Sequence, residues 1–160
     1  MTEREALTAL RGDDVAEAAR AANTLWQMWH RSGNARLDSL LREGIEAMER
    51  QDLVAADATF TRLIDEAPAF AEGWNKRATI YYLVGEYEKS LRDCDEVMKR
   101  NPNHFGALSG YGQIYLQLDK PELALDYFQR ALKVNPNLRS VEAAVAELKR
   151  LIIERRKGTI

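Results

Sequence analysis

Few side chains in this 160-residue chain could do chemistry on a substrate. The imidazoles are His30 and His104, and the lone thiol is Cys94. One Cys excludes an internal disulfide and a thiolate-based zinc site. Neither His has a Cys or a second His at ligand spacing, so both read as surface or packing histidines. Cys94 falls on an apolar helical stripe and reads as a small buried hydrophobe; a reactive thiol needs an electropositive, partly exposed setting. Gly106, Gly110 and Gly112 lack a following Lys-Ser/Thr and follow no strand, so they form no phosphate loop. Carboxylate pairs such as Asp65-Glu66 and Asp95-Glu96 read as solvated faces. The expectation is no catalysis, no metal and no cofactor.

The elements behind these residues are marked by proline. Pro68, Pro102 and Pro136 are spaced by 34 and again by 34. The same shift aligns Leu40, Gly44, Ala47, Ala56, Phe60 and Leu63 with Trp74, Ala78, Tyr81, Ser90, Cys94 and Val97. It aligns them again with Leu108, Gly112, Tyr115, Ala124, Phe128 and Ala131. Within each unit, two apolar-periodic stretches flank a short polar break. Ile80, Tyr81, Val84 and Tyr87 sit three or four apart, as do Leu91, Cys94, Val97 and Met98, which builds one buried stripe per helix. The breaks Gln51-Asp52, Gly85-Glu86 and Asp119-Lys120 are short enough to make each helix pair antiparallel. Small residues at Gly44/Ala56, Ala78/Ser90 and Gly112/Ala124 let the paired helices approach. Pro121 suits a first helical position, and Asn-Pro at 101–102 and 135–136 stops a helix. Helices are expected near 37–50, 53–66, 71–84, 87–100, 105–118 and 121–134.

Both ends read as helical caps. Residues 139–157 fit one helix, with Val141, Val145, Leu148, Leu151 and Ile152 inward and charged residues out. Asp13-Asp14 reads as an N-cap and Arg31-Ser32-Gly33 as a stop, with a stripe of Val15, Ala18, Ala22, Trp26 and Trp29 between them. Gly12 shortens the helix before it.

The 34-residue pattern over 37–138 resembles the tetratricopeptide repeat (TPR). The resemblance implies an all-α, right-handed solenoid of three TPR helix pairs between an N-terminal helical pair and a C-terminal capping helix. The units are 1–36 (a helical pair, read also as a degenerate fourth repeat), 37–70, 71–104, 105–138, and 139–160 (cap and basic tail). It also implies a binding groove lined by the first helix of each unit. Here that wall holds Leu41, Arg42, Ile45 and Met48; then Asn75, Lys76, Thr79 and Tyr82; then Gly106, Ser109, Gly110 and Gln113. The apolar trio Leu41, Ile45 and Met48 could instead pack on the N-terminal pair. Gly106 and Gly110 each cost about 1 kcal/mol in a helix, which suggests room for a partner's backbone. The TPR subclass that clamps acidic chaperone tails uses Lys, Asn and Arg where this chain has Leu41, Ile45, Lys76, Gly106 and Gly110. Chaperone-tail binding is therefore not expected.

Charge adds direction. The 23 Lys+Arg and 25 Asp+Glu leave a net charge of -2, which does not favour nucleic acid as the main partner. Residues 37–70 carry three basic and eight acidic residues, and 139–160 six basic and three acidic. Lys149, Arg150, Arg155, Arg156 and Lys157 form a patch for an anionic partner such as RNA, or simply complement a helix dipole. No segment is apolar enough for a membrane span, so a soluble chain is expected, cytoplasmic or in an organelle matrix or stroma after loss of a presequence. The chain reads as a monomeric adaptor or assembly factor that holds a peptide or helix of a partner protein. The rival readings are a ribosome- or RNA-associated factor, and a scaffold in which the acidic first unit meets the basic tail of another copy. Glu43 and Arg77, one repeat apart, are expected to pair.

Overall fold

The computed structural model describes residues 1–158. Thr159 and Ile160, the end of the expected tail segment 139–160, lie outside the described residues. The described residues form helices and no strands: α1 Glu3–Leu10, α2 Val15–Trp29, α3 Ala35–Glu49, α4 Leu53–Glu66, α5 Ala71–Leu83, α6 Tyr87–Arg100, α7 Phe105–Gln117, α8 Pro121–Val134 and α9 Arg139–Arg156. From α3 onward every helix starts and ends within about two residues of its expected position, the ordinary uncertainty of helix ends.

Two compact units are present, one of residues 24–102 and one combining 1–23 with 103–160. The first holds the antiparallel pairs α3/α4 and α5/α6, with α4 also packed on α5. Its core gathers Leu40, Leu41, Ala47, Ala56, Phe60, Leu63 and Ile80, with Leu37, Ile45, Met48, Leu53 and Phe70 packed around them. The pair α3/α4 closes because position 44 has no side chain. A Cβ built there would lie 2.3 Å from the Phe60 ring. In α5/α6 the contact is polar instead: the buried Ser90 hydroxyl donates to the Ala78 carbonyl at 2.7 Å.

In the other unit α8 packs against both α7 and α9. Gly112 repeats the Gly44 arrangement, with a built Cβ 2.4 Å from Phe128. Tyr111 and Tyr115 both stack on Tyr127, at 4.2 and 5.6 Å between centroids. The α9 stripe buries Val141, Val145, Leu148 and Ile152 as expected, while Leu151 is half-buried. The N-terminal helix α1 is held by a capping box, in which Thr2 and Glu5 bond each other's backbone N–H. At its other end, the Leu10 carbonyl accepts from Asn137 Nδ2 at 3.1 Å. The segment 1–36 is therefore divided between the two units within α2.

The buried stripe of α2 also differs from the expected one. Ala18, Ala21 and Leu25 are buried, whereas Val15 is 72% and Trp26 56% exposed. The expected stripe shares Ala18 with the observed one but set Val15 and Trp26 inward and left out Ala21 and Leu25. The helix instead turns Leu25 inward with Ala18 and Ala21 and leaves the Trp26 indole outside.

The first helix of each repeat ends in the same way. Gln51 (φ 63°), Gly85 (φ 81°) and Asp119 (φ 53°) are left-handed. The next amide then reaches back to the carbonyl five residues earlier: Asp52 to Ala47, Glu86 to Tyr81 and Lys120 to Tyr115, at 2.8–2.9 Å. These bonds satisfy carbonyls that a helix end otherwise leaves open.

Candidate functional site

Within residues 24–102, α3 and α5 position two sets of expected wall residues. On α3, Leu41 is only 3% exposed and belongs to the core. Ile45 and Met48 are half-buried against that core, and Arg42 is exposed. The aliphatic trio thus packs mainly inward, which is what a helical apolar stripe does first. On α5, Asn75, Lys76 and Tyr82 are half-buried and Thr79 is exposed. Asn75 Nδ2 donates to Glu72 Oε2 at 3.2 Å, and Thr79 Oγ1 to the Asn75 carbonyl at 3.2 Å. Tyr82 meets the Tyr87 ring at 5.9 Å. Lys76 enters no ion pair with the described residues.

Glu72 is almost fully buried, at 1% exposure, and its Oε2 lies 3.5 Å from His30 Nε2. The other ring nitrogen, Nδ1, lies 2.7 Å from the Trp26 carbonyl and donates to it. The imidazole also stacks on the Trp26 indole, with centroids 4.0 Å apart and planes at 20°. His30 is therefore a packing histidine, but one that meets a buried carboxylate. Its spacing in the chain carried no sign of this, because the partner comes from a different helix pair.

Beside this contact the end of α2 and the face of α3 enclose a cleft of about 350 Å³, lined by Trp26, Gln27, His30, Arg31, Asp38, Leu41, Arg42 and Ile45. Asp38, the carboxylate in the lining, accepts from the Ser32 N–H at 2.7 Å and lies 2.6 Å from its hydroxyl. Arg31 and Arg42 are exposed and form no ion pair with the described residues.

Arg77 does not pair with Glu43. Its Nε and Nη2 bond both oxygens of Asp93, at 2.8 and 2.9 Å, and Nη1 bonds Thr61 Oγ1 at 3.3 Å. Glu43 stays exposed on α3. The carboxylate on the second helix of the same pair is closer than one a whole repeat away. The two hydrogen bonds to Asp93 raise the already high Arg77 pKa, against the opposing effect of burial.

In the other unit, α7 carries Gly106 and Gln113 exposed, with Ser109 and Gly110 half-buried. His104 is buried at 4% exposure and caps α7, its Nδ1 accepting from the Ala107 N–H at 3.0 Å. A Cβ at position 106 would lie 3.0 Å from that ring. Gly106 thus makes room for a capping imidazole of its own chain. A His three residues ahead of a helical amide is not one of the usual Ser, Thr, Asp or Asn cap signals, so this role was missed.

The basic patch on α9 is partly spent within the chain. Arg155 pairs with Asp119 at 2.9 Å and Arg150 with Glu147. Lys149, Arg156 and Lys157 are exposed. Among the described residues no cluster of His, Cys, Asp or Glu could hold a metal ion, and no helix is long and apolar enough to cross a membrane.

With repeated helix pairs, Gly–Phe closures and shared left-handed stops established, the comparisons decide the family. The tetratricopeptide repeat family model matches residues 70–137. A TPR repeat-containing protein of Rhizobium etli is 33% identical over 132 residues, covering 82% of this chain and 65% of that protein. Residues 70–137 belong to the tetratricopeptide repeat family. The chain spans just under two thirds of that relative's length. Among solved structures, the Sgt2 TPR domain from Aspergillus fumigatus has a TM-score of 0.74 at 23% identity, covering 79% of this chain and 85% of that one. The first TPR of Spaghetti, bound to an HSP90 peptide, has a TM-score of 0.70 at 20% identity, covering 73% and 93%. Their fold is the all-α TPR solenoid expected from the 34-residue pattern.

Proposed function

We propose that this TPR chain is a non-enzymatic adaptor or assembly factor that holds a peptide or helix of a partner protein on the first helices of its repeats. The observation that carries this reading is Lys76, a half-buried cation with no ion pair among the described residues, set on α5 beside Asn75, Thr79 and Tyr82. Asn75 can offer both a donor and an acceptor to a partner backbone, and Tyr82 a rigid amphipathic ring. On α7, Ser109, Gly110 and Gln113 offer a small, uncharged surface of their own. The neighbour seen with an HSP90 peptide makes a protein segment the natural ligand class to test.

The test is a photo-crosslinking residue at position 76 or 113 in living cells, followed by identification of what it captures. Lys76→Glu and Gly110→Leu, with helicity and Tm unchanged, are then expected to weaken the captured partner by about thirtyfold, the scale of a hot-spot loss of about 2 kcal/mol. Normal capture by both variants, with loss on charge reversal at Arg155 and Arg156, would move the site to the basic face of α9. An acidic chaperone-tail peptide belongs in the same assay as a competitor, and no competition is expected.

A further inference from the structure

The cleft between α2 and α3 has features that the packing of the chain does not use. We propose that it is a docking site for a partner segment carrying a large apolar side chain flanked by carboxylates. This rests on the reading of the chain as a peptide-holding module and names the chemistry of what it holds.

Three observations support it. The floor is apolar, made by Leu41 and Ile45. One wall is the Trp26 indole, stacked on His30 yet 56% exposed. A lone exposed hydrophobe needs no explanation, but one that borders a concave apolar surface marks a place where a partner can desolvate it. The rim carries Arg31 and Arg42, neither in an ion pair with the described residues, while Asp38 is already held by Ser32. Two guanidiniums without carboxylates leave an unmatched positive rim, and a guanidinium binds a carboxylate through two parallel hydrogen bonds. Trp and Arg are also the residue types that carry most binding energy at interfaces.

The volume points the same way. At about 350 Å³ the cleft lies at the low end of the roughly 300–1,000 Å³ range of ligand sites. It suits a side chain or two of a bound segment better than a whole cofactor. The surrounding residues 37–70 are net acidic. Long-range attraction therefore favours a cation, while the rim favours an anion, and screening by salt weakens the first more than the contact.

The probe is a short acetylated, amidated peptide of alternating glutamate and leucine, followed by fluorescence anisotropy. Control peptides replace glutamate by glutamine, glutamate by lysine, or leucine by alanine. The acidic, leucine-bearing peptide is expected to bind, and each control to bind at least about tenfold more weakly. The double variant Arg31→Glu with Arg42→Glu, and separately Trp26→Ala, should each lose about tenfold while melting normally, since all three side chains are exposed. Lys99→Glu, exposed on α6 and outside the cleft lining, should leave this binding unchanged. No binding up to about 1 mM, equal binding to the double variant, or stronger binding of the lysine peptide would overturn the proposal. None of those outcomes touches the crosslinking result at position 76. A peptide bound in the cleft with no partner captured at position 76 would instead retain this site with its α3 residues and remove the α5 part of the wall.

Discussion

Arg77 and Asp93 form a two-pronged ion pair from α5 to α6, at 2.8 and 2.9 Å, with side chains only 17% and 5% exposed. The guanidinium also lies over the rings of Trp74 and Tyr81, 5.4 and 5.5 Å from their centroids. The pair therefore ties together both helices and the aromatic side chains between them. Asp93→Ala leaves the cation half-buried without its carboxylate, and removing one partner of a buried pair costs more than the pair contributes. The expected loss is about 2–4 kcal/mol, a drop in Tm of about 2–4 °C for each kcal/mol in a chain of this size. Replacing both residues by leucine should recover most of it. A single variant melting like the parent would show that water already solvates Arg77.

Gly44→Ala and Gly112→Ala place a methyl group inside a phenyl ring's volume, 2.3 Å from Phe60 and 2.4 Å from Phe128. Propensity alone would make each change stabilising by about 1 kcal/mol. Overpacking opposes it at about 1–3 kcal/mol, and at such short distances the helices must separate. A net loss in chemical denaturation is expected for each. Gly44→Ala combined with Phe60→Leu should melt above Gly44→Ala alone.

These glycines show why the fold was legible in the sequence. A small residue and an aromatic recur 16 residues apart within a repeat, at Gly44–Phe60 and Gly112–Phe128, and local spacing of that kind survives folding unchanged. What it could not reveal was choice among neighbours in space. The carboxylate for Arg77 lies 16 residues ahead on the paired helix, not 34 behind at Glu43. Gly106 looked like room for a ligand and proves to be room for the His104 cap. The cleft rimmed by Arg31 and Arg42 joins two segments with no shared repeat register, so no periodicity could announce it.

Left-handed backbone at Gln51 and Asp119 carries a strain that Gly85 avoids. A residue with a Cβ costs about 1–2 kcal/mol there. Gln51→Gly should therefore stabilise the chain by about 0.5–1 kcal/mol, and Gly85→Ala should destabilise it by about as much. Asp119→Gly should gain less, because it also removes the partner of Arg155. Thermal melts of the three variants give the order directly, and a Gln51→Gly protein melting lower would refute the argument.

Burial pushes the Cys94 thiol up to about 12, with Asp93 and Asp95 adding to the effect. The folded chain therefore keeps its proton where the unfolded chain, at 9.0, loses it. This stability is intact below pH 9 and falls as pH rises toward 12. Relative to Cys94→Ala, the parent should lose about 2 kcal/mol at a pH 1.5 units above the free thiol's value. Iodoacetamide should leave the native thiol unmodified near neutral pH and label it on unfolding. Rapid labelling of the folded protein would show that α6 opens locally.

Removal of residues 139–157 should make the chain aggregate. It takes away α9, whose Val141, Val145, Leu148 and Ile152 are each less than 10% exposed, and uncovers the face of α8 against which α9 packs. Each buried aliphatic side chain contributes about 1.5–3 kcal/mol, so four of them rival the whole stability of a small domain, about 5–15 kcal/mol. The loss also strips Asp119 of Arg155, but that exposed pair is worth little by comparison. Repeat arrays need such a terminal helix because the last pair has no neighbour to cover its apolar side. Light scattering of the truncated chain should show mass growing with concentration. Four serines at those positions in the full-length chain should do the same while leaving every charge of α9 in place. A truncated monomer with an unchanged Tm would show that α8 can face water unaided.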